Sequence, residues 1–273
     1  MAIIAITQQI GSAGGQVAIL AANQLGYRLL TGEELITRTS SRYNVSAEHL
    51  LVLDERKPHF WERLGTDTGS FLAFMRAVIL KEMAEDKLVV VSRASAHHLP
   101  PSPCGIKVHV IGALAHRVAR VAADEKLSPG AAEKRVLHHD KEIRSRVQTV
   151  ANVDIEDPLS YALSFNTSAM PPDACAALLV DAARTADALT TGDDWNQLRD
   201  ESTSAQVRAA IHAHPKLNDG RIEVRCASGR VRVSGPGLVP PWDVLTEQVV
   251  RQVEGVSEVE ITAEATPMIV TAE

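Results

Sequence analysis

The chain has 273 residues, 28 of them Lys or Arg and 34 Asp or Glu, with 45% hydrophobic and 4% aromatic residues. That length suggests one large or two small domains at roughly 150 residues each, and the composition is that of a globular protein with ample core. Nucleic-acid binders show a basic footprint and, for single strands, aromatic stacking platforms. Neither is present, so a nucleic-acid partner is not expected. The three cysteines, Cys104, Cys175 and Cys226, are scattered and odd in number, which reads as reduced thiols. The first apolar run is too short for a signal peptide and no basic stretch precedes it. No segment approaches the apolar length of a membrane span, and a cytoplasmic protein is expected.

The chain opens with Ala2-Ile3-Ile4-Ala5-Ile6, then Gly11-Ser12-Ala13-Gly14-Gly15-Gln16, then an alanine-rich helical pattern from Val17. A strand, a glycine loop and a helix in that order aim several backbone N–H groups and the positive end of a helix dipole at one spot, which suits a phosphate. The phosphate-loop pattern also asks for Gly-Lys-Ser/Thr, and no lysine follows Gly14 or Gly15. Two unit charges 4 Å apart attract by about 4 kcal/mol at an effective dielectric near 20, whereas a helix N-terminus contributes about 0.3 to 1 kcal/mol. The dipole does not replace an ammonium, so cations are expected from elsewhere in the chain.

Leu25-Gly26-Tyr27 closes the first helix and Arg28-Leu29-Leu30 reads as a second strand. Helices are expected over 32–42 and 46–53, with a polar cover over 54–67. The spacing of Phe71, Leu72, Met75, Ile79 and Met83 predicts a long amphipathic helix. Leu88-Val89-Val90-Val91 has the continuous apolar character of a strand buried on both faces. It ends at Ser92-Arg93, which places Arg93 at the carboxyl end of a strand, where ligands of open α/β sheets bind. A strand over 106–111 follows, then a helix over 114–123 carrying Arg117 and Arg120 on one face. Ser128-Pro129 opens a further helix bearing Arg135, Asp140, Lys141, Arg144 and Arg146. Such a helix reads either as a solvated face or as a lid bringing guanidinium groups over a phosphoryl. A last strand over 161–165 and a helix over 173–188 complete a parallel sheet with helices on both faces.

Residues 190–203 are polar and read as a linker. Beyond them a helix over 204–214, alternation at Ile222, Val224 and Cys226, a turn at Ala227-Ser228-Gly229, alternation at Val231 and Val233, a helix from Trp242 to Glu254 and a final strand make an αββαβ module over 204–266. A core of that size is marginal, so the module is expected to pack on the first domain or, in a homodimer, on a second chain.

Residues 1–189 resemble the cytidylate kinase-like branch of the P-loop nucleoside monophosphate kinases. The resemblance rests on Gly11-Ser12-Ala13-Gly14-Gly15, Leu25-Gly26-Tyr27, Val89-Val90-Val91-Ser92-Arg93, Lys107, the stretch from Ala113 to Arg117 with Arg120, the segment from Asp140 to Arg144, and Phe165-Asn166-Thr167-Ser168. It implies transfer of the ATP γ-phosphoryl to a nucleoside monophosphate such as CMP with Mg²⁺. It also implies that Gly11 to Gln16 hold ATP phosphates with Ser12 contacting Mg²⁺, that Arg93 holds the acceptor phosphate, and that Arg117, Arg120, Arg135 and Arg144 neutralise the moving group. The sequence departs from the branch where acids are expected, at Thr31, Ala94 and Asn166. This opens a second reading, a nucleotide sensor with little or no turnover. The C-terminal module resembles a BON domain through Val207-Arg208-Ala209-Ala210-Ile211, the stretch from Gly229 to Gly235, and Val253 to Val259. That resemblance implies a lipid, small-ligand or protein partner. The pairs His97-His98 and His138-His139 read as surface histidines rather than metal ligands, and no Gly-x-Ser-x-Gly elbow supports a hydrolase.

Overall fold

The computed structural model describes residues 2–47, 68–92, 95–100, 104–217 and 221–263. The expected helix over 46–53 and the cover over 54–67 fall almost wholly outside them, as does Arg93. The first unit runs β1 (Ile3–Gln8), α1 (Gly14–Leu25), β2 (Arg28–Thr31), α2 (Gly32–Tyr43), α3 (Thr68–Ala84), β3 (Leu88–Ser92), α4 (Ser95–His98), β4 (Gly105–Ile111), α5 (Leu114–Asp124), α6 (Pro129–Ala151), β5 (Leu163–Asn166) and α7 (Pro172–Leu189). Its five strands are parallel in the order β2-β3-β1-β4-β5. The chain turns back across the sheet beside β1, the switch at which open α/β sheets place ligands outside the strand ends.

Side chains of a strand alternate between faces, and β1 shows what each face buries. Ile3 and Ala5 join Leu30, Leu88 and Val90 beneath α2 and α3, with Phe74, Leu80 and Met83. Ile4 and Ile6 join Val89, Val91, Val108 and Val110 against α1 and α7, with Val17, Ala21, Cys175 and Leu179. All four apolar residues of β1 are fully buried, as a central strand covered by helices on both sides requires.

The second unit is α8 (Gly192–Ala213), β6 (Glu223–Ala227), β7 (Arg230–Gly235), α9 (Trp242–Val250) and β8 (Glu258–Ala263), with a separate three-stranded sheet in the order β6-β7-β8. Of the stretch over 190–203 expected to be a linker, residues 192–203 are the first half of α8. Thr191 and Asp194 form a reciprocal capping box at its start, which satisfies backbone donors a loop would leave to water. Leu198, Ala205 and Ala209 of α8 enter the core under α3, while Val207 and Ile211 enter the core of the small sheet with Val224, Val231 and Val233. One helix therefore belongs to two cores. Arg42 to Gln206 at 2.9 Å, Arg76 to Glu201 at 3.4 Å and Lys81 to Glu254 at 3.1 Å add polar bridges between the units. Cys104, Cys175 and Cys226 are not joined to one another in disulfides, and no described helix is long and apolar enough to cross a membrane.

The shared helix predicts joint unfolding. Leu198→Ala removes a fully buried side chain and should cost about 2 to 4 kcal/mol, lowering one cooperative transition seen alike by far-ultraviolet circular dichroism and by tryptophan fluorescence. Two separate transitions, with the first unchanged by the substitution, would contradict the shared core.

Candidate anion site at the first loop

The segment between β1 and α1 is shaped by what holds its carbonyl oxygens. Arg117 Nη1 reaches the Ile10 carbonyl at 3.4 Å, Arg120 Nη1 donates to the Gly11 carbonyl at 3.2 Å, and Thr167 Oγ1 donates to the Ser12 carbonyl at 2.7 Å. The Ala13 carbonyl accepts from the amides of Gln16 and Val17 at 3.0 and 3.2 Å. In a trans peptide the N–H points opposite to the C=O of the same unit. Fastening the carbonyls of Ile10, Ser12 and Ala13 to the protein therefore turns the N–H groups of Gly11, Ala13 and Gly14 the other way. The Ser12 amide closes the turn onto the Gln9 carbonyl at 3.1 Å. Among the described residues no protein acceptor meets the amides of Gly11, Ala13, Gly14 or Gly15, and α1 has no side-chain cap. Donors left open at a helix N-terminus form an anion site, and the Ser12 hydroxyl, 1% exposed and without a partner, lies within the same loop.

Backbone shape at this loop explains two of its residues. Gly11 has φ of +72°, and a Cβ there would lie 2.6 Å from the Arg117 carbonyl oxygen, so only glycine fits. Ala13 sits at φ +60°, a left-handed conformation costing a side chain roughly 1–2 kcal/mol.

The arginines read from the sequence occupy different places. Arg117 is 5% exposed. It donates to the Gly112 carbonyl at 2.9 Å and makes a two-pronged pair with Asp140 at 3.0 and 2.8 Å. It thus backs the loop from the carbonyl side and ties α5 to α6. Arg120 also serves the carbonyl side. Arg135 pairs with Glu125 at 3.4 Å, and Arg144 pairs with Glu156. The first two converge on the loop, whereas Arg135 and Arg144 are spent on exposed ion pairs of α6. Gly11 through Gln16 form the turn after β1 and the start of α1. Asp140 and Thr167 were visible in the sequence only as parts of motifs. Their partners lie 23 and 155 positions away, a relation no spacing reveals.

A narrow cavity at the end of β1 is lined by Gln8, Gln9, His109, His139, Asp140, Ile143, Ile155 and Glu156. Gln9 is fixed by accepting from the Gly112 amide at 3.2 Å. Behind it His109 stacks on Tyr161 with ring centroids 4.6 Å apart, and Tyr161 donates to the Ile155 carbonyl at 2.7 Å. Burial pushes His109 down to about 4, with nearby His97 adding to the effect. Burial and Lys107 lower His97. Both imidazoles are therefore neutral at pH 7. Among the described residues no cluster of three His, Cys, Asp or Glu side chains could hold a metal ion.

With that geometry in place, residues 3–169 match the model of the cytidylate kinase-like family. The chain belongs to the cytidylate kinase-like family. Among solved structures, this cytidylate kinase-like chain is similar to an uncharacterized protein from Eubacterium ventriosum, at 18% identity and TM-score 0.52, over 68% of this chain and 99% of that one. It also matches shikimate kinase from Acinetobacter baumannii in complex with shikimate, at 14% identity and TM-score 0.41, over 68% and 94% of the two chains. The first likeness shows the fold of the first unit. Among curated proteins no sequence matches.

Two predictions come from this geometry. Asp140→Ala leaves a buried guanidinium uncompensated and should cost about 3 kcal/mol, read by denaturant unfolding; an unchanged midpoint would show that the pair does not hold the loop. The second concerns pH. His109 is held at about 4 in the folded chain against about 6.5 in an unfolded one, so the unfolded chain binds more protons between those values. Its contribution to stability is present above pH 6.5 and is lost as pH falls toward 4. Thermal midpoints across that window should fall less steeply in His109→Gln than in the unsubstituted chain, and parallel curves would refute the assignment.

Proposed function

We propose that the chain binds a nucleoside triphosphate through the loop from Gly11 to Gln16 and passes its γ-phosphoryl to a nucleoside monophosphate such as CMP. The observation that carries this reading is the set of open amides at Gly11, Ala13, Gly14 and Gly15, facing away from carbonyls that the protein has fastened. The donor set fits a phosphate chain. The amides take its anionic oxygens, and we assign the Mg²⁺ contact to Ser12, whose buried hydroxyl has no protein partner among the described residues. With ATP and Mg²⁺ bound, the nucleotide supplies the phosphoryl group and the metal spreads its charge over the phosphate oxygens. Mg²⁺ keeps several waters and takes few protein ligands in phosphate sites, consistent with one hydroxyl from this loop.

The chain's own part is positioning. Arg117 and Arg120 hold the loop in its donor-outward shape, Asp140 holds Arg117, and Thr167 fixes the turn into α1. Arg93, which follows β3 in the sequence, is the residue we assign to the acceptor phosphate. The BON-like module is the unit we assign to a lipid, small ligand or protein partner. A second reading, nucleotide binding with little turnover, is favoured by one observation: Arg117 and Arg144, expected over the moving group, are paired with Asp140 and Glu156.

The test is a panel of nucleotides with and without Mg²⁺, followed by thermal unfolding and by ADP formation. The proposal expects ATP to raise the midpoint and ADP to form from ATP plus CMP or another monophosphate, with turnover lost in Arg93→Ala. Stabilisation without ADP from any acceptor selects the second reading. No shift with any nucleotide rejects both.

A further inference from the structure

The phosphate-loop pattern runs strand, Gly-x-x-x-x-Gly-Lys-Ser/Thr, helix. Helix α1 opens at Gly14. Laid on that register, Gln8 at the end of β1 stands where the pattern has its first glycine, Ala13 where it has its second, and Gly14 where it has lysine. The two ends of the loop have exchanged a glycine for a side chain. The exchange is visible in space. A Cβ at Gly14 would lie 2.6 Å from Gln8 Oε1 and 2.7 Å from Gln8 Cβ, whereas a Cβ at Gly15 would meet nothing within 4 Å. The oxygen is the free end of a side chain and could swing aside. The Cβ is fixed by the strand and could not. The room that a side chain at position 14 would need therefore belongs to Gln8.

Gln8 has no other evident task. Its neighbour Gln9 bonds to the Gly112 amide, but no hydrogen bond joins the Gln8 carboxamide to any described residue. It lines a cavity together with Gln9, His109 and Asp140, and its carboxamide oxygen lies against position 14. We infer that Gln8 is the anion-contacting side chain of this loop, reaching from the strand end into the space a lysine would enter from the helix end. The inference rests on the nucleotide reading above. Its ligand class is a polyphosphate, and its contact is a neutral one: the carboxamide N–H donates to a phosphate oxygen and brings no charge. The loop thus meets its anion without a cationic side chain, and affinity at this position follows the charge placed at residue 8.

The test uses the full chain with inorganic pyrophosphate and with ATP plus Mg²⁺ as probes, read by calorimetry, and thermal unfolding without ligand as an independent readout. Gln8→Lys should bind pyrophosphate at least tenfold more tightly and Gln8→Glu at least tenfold more weakly than the unsubstituted chain. Without ligand, Gly14→Lys should unfold several degrees lower, and Gln8→Gly combined with Gly14→Lys should recover more than half of that loss because the obstruction is gone. Unchanged affinity in Gln8→Lys and Gln8→Glu, in a chain that binds ATP, overturns the inference and leaves the nucleotide reading standing. A double variant no more stable than Gly14→Lys overturns the shared space itself. If neither the unsubstituted chain nor Gln8→Lys binds pyrophosphate or ATP, both fail.

Discussion

The opposed directions of C=O and N–H in a trans peptide are the constraint on which the site depends. Once the carbonyls of Ile10, Ser12 and Ala13 are fastened to Arg117, Thr167 and the first turn of α1, the amides on the far side have no freedom to turn inward. A short loop could satisfy its own donors by curling. This one is prevented from doing so, and the donors stay open for a ligand. Arg117 and Arg120, expected to meet the anion directly, bond to the carbonyl side of the loop.

The same constraint links the loop to the rest of the fold. Arg117 reaches Asp140 on α6, so the long helix after Pro129 is braced against the loop rather than free to sweep over it. Thr167, just after β5, ties the far edge of the sheet to the same turn. Gly11 has no Cβ because the Arg117 carbonyl stands where one would go. Behind the loop, neutral His109 and Tyr161 fill the end of β4 with hydrogen-bonding groups that carry no charge at neutral pH. The candidate anion site is built by strand ends, two helices and a remote threonine acting on the loop's carbonyls.

Much of this was legible in the sequence because it is local. The runs Ile3 to Ile6 and Leu88 to Val91 are apolar without alternation, which only a strand covered on both faces explains, and the parallel sheet follows from their alternation with helices. The glycine loop marked, by composition alone, the turn whose amides are open among the described residues. What escaped reading was long-range. The segment after Thr190 is polar enough to pass for a linker, yet Thr191 and Asp194 cap a helix that packs in the core under α3 through Leu198 and two small residues, Ala205 and Ala209, a sparse apolar pattern. The roles of Arg117, Arg144 and Thr167 are decided by partners in other elements. A guanidinium free to meet a phosphate and one bound to a carboxylate are the same letter in a sequence.

The central claim is that four amides, at Gly11, Ala13, Gly14 and Gly15, are the donors that hold the anion. Amide ¹H–¹⁵N correlation spectra of labelled protein titrated with ATP and Mg²⁺ read those four donors individually. The account predicts that these resonances move together and saturate at one ligand concentration. Shifts confined to other residues, with these four unmoved at saturation, would contradict it.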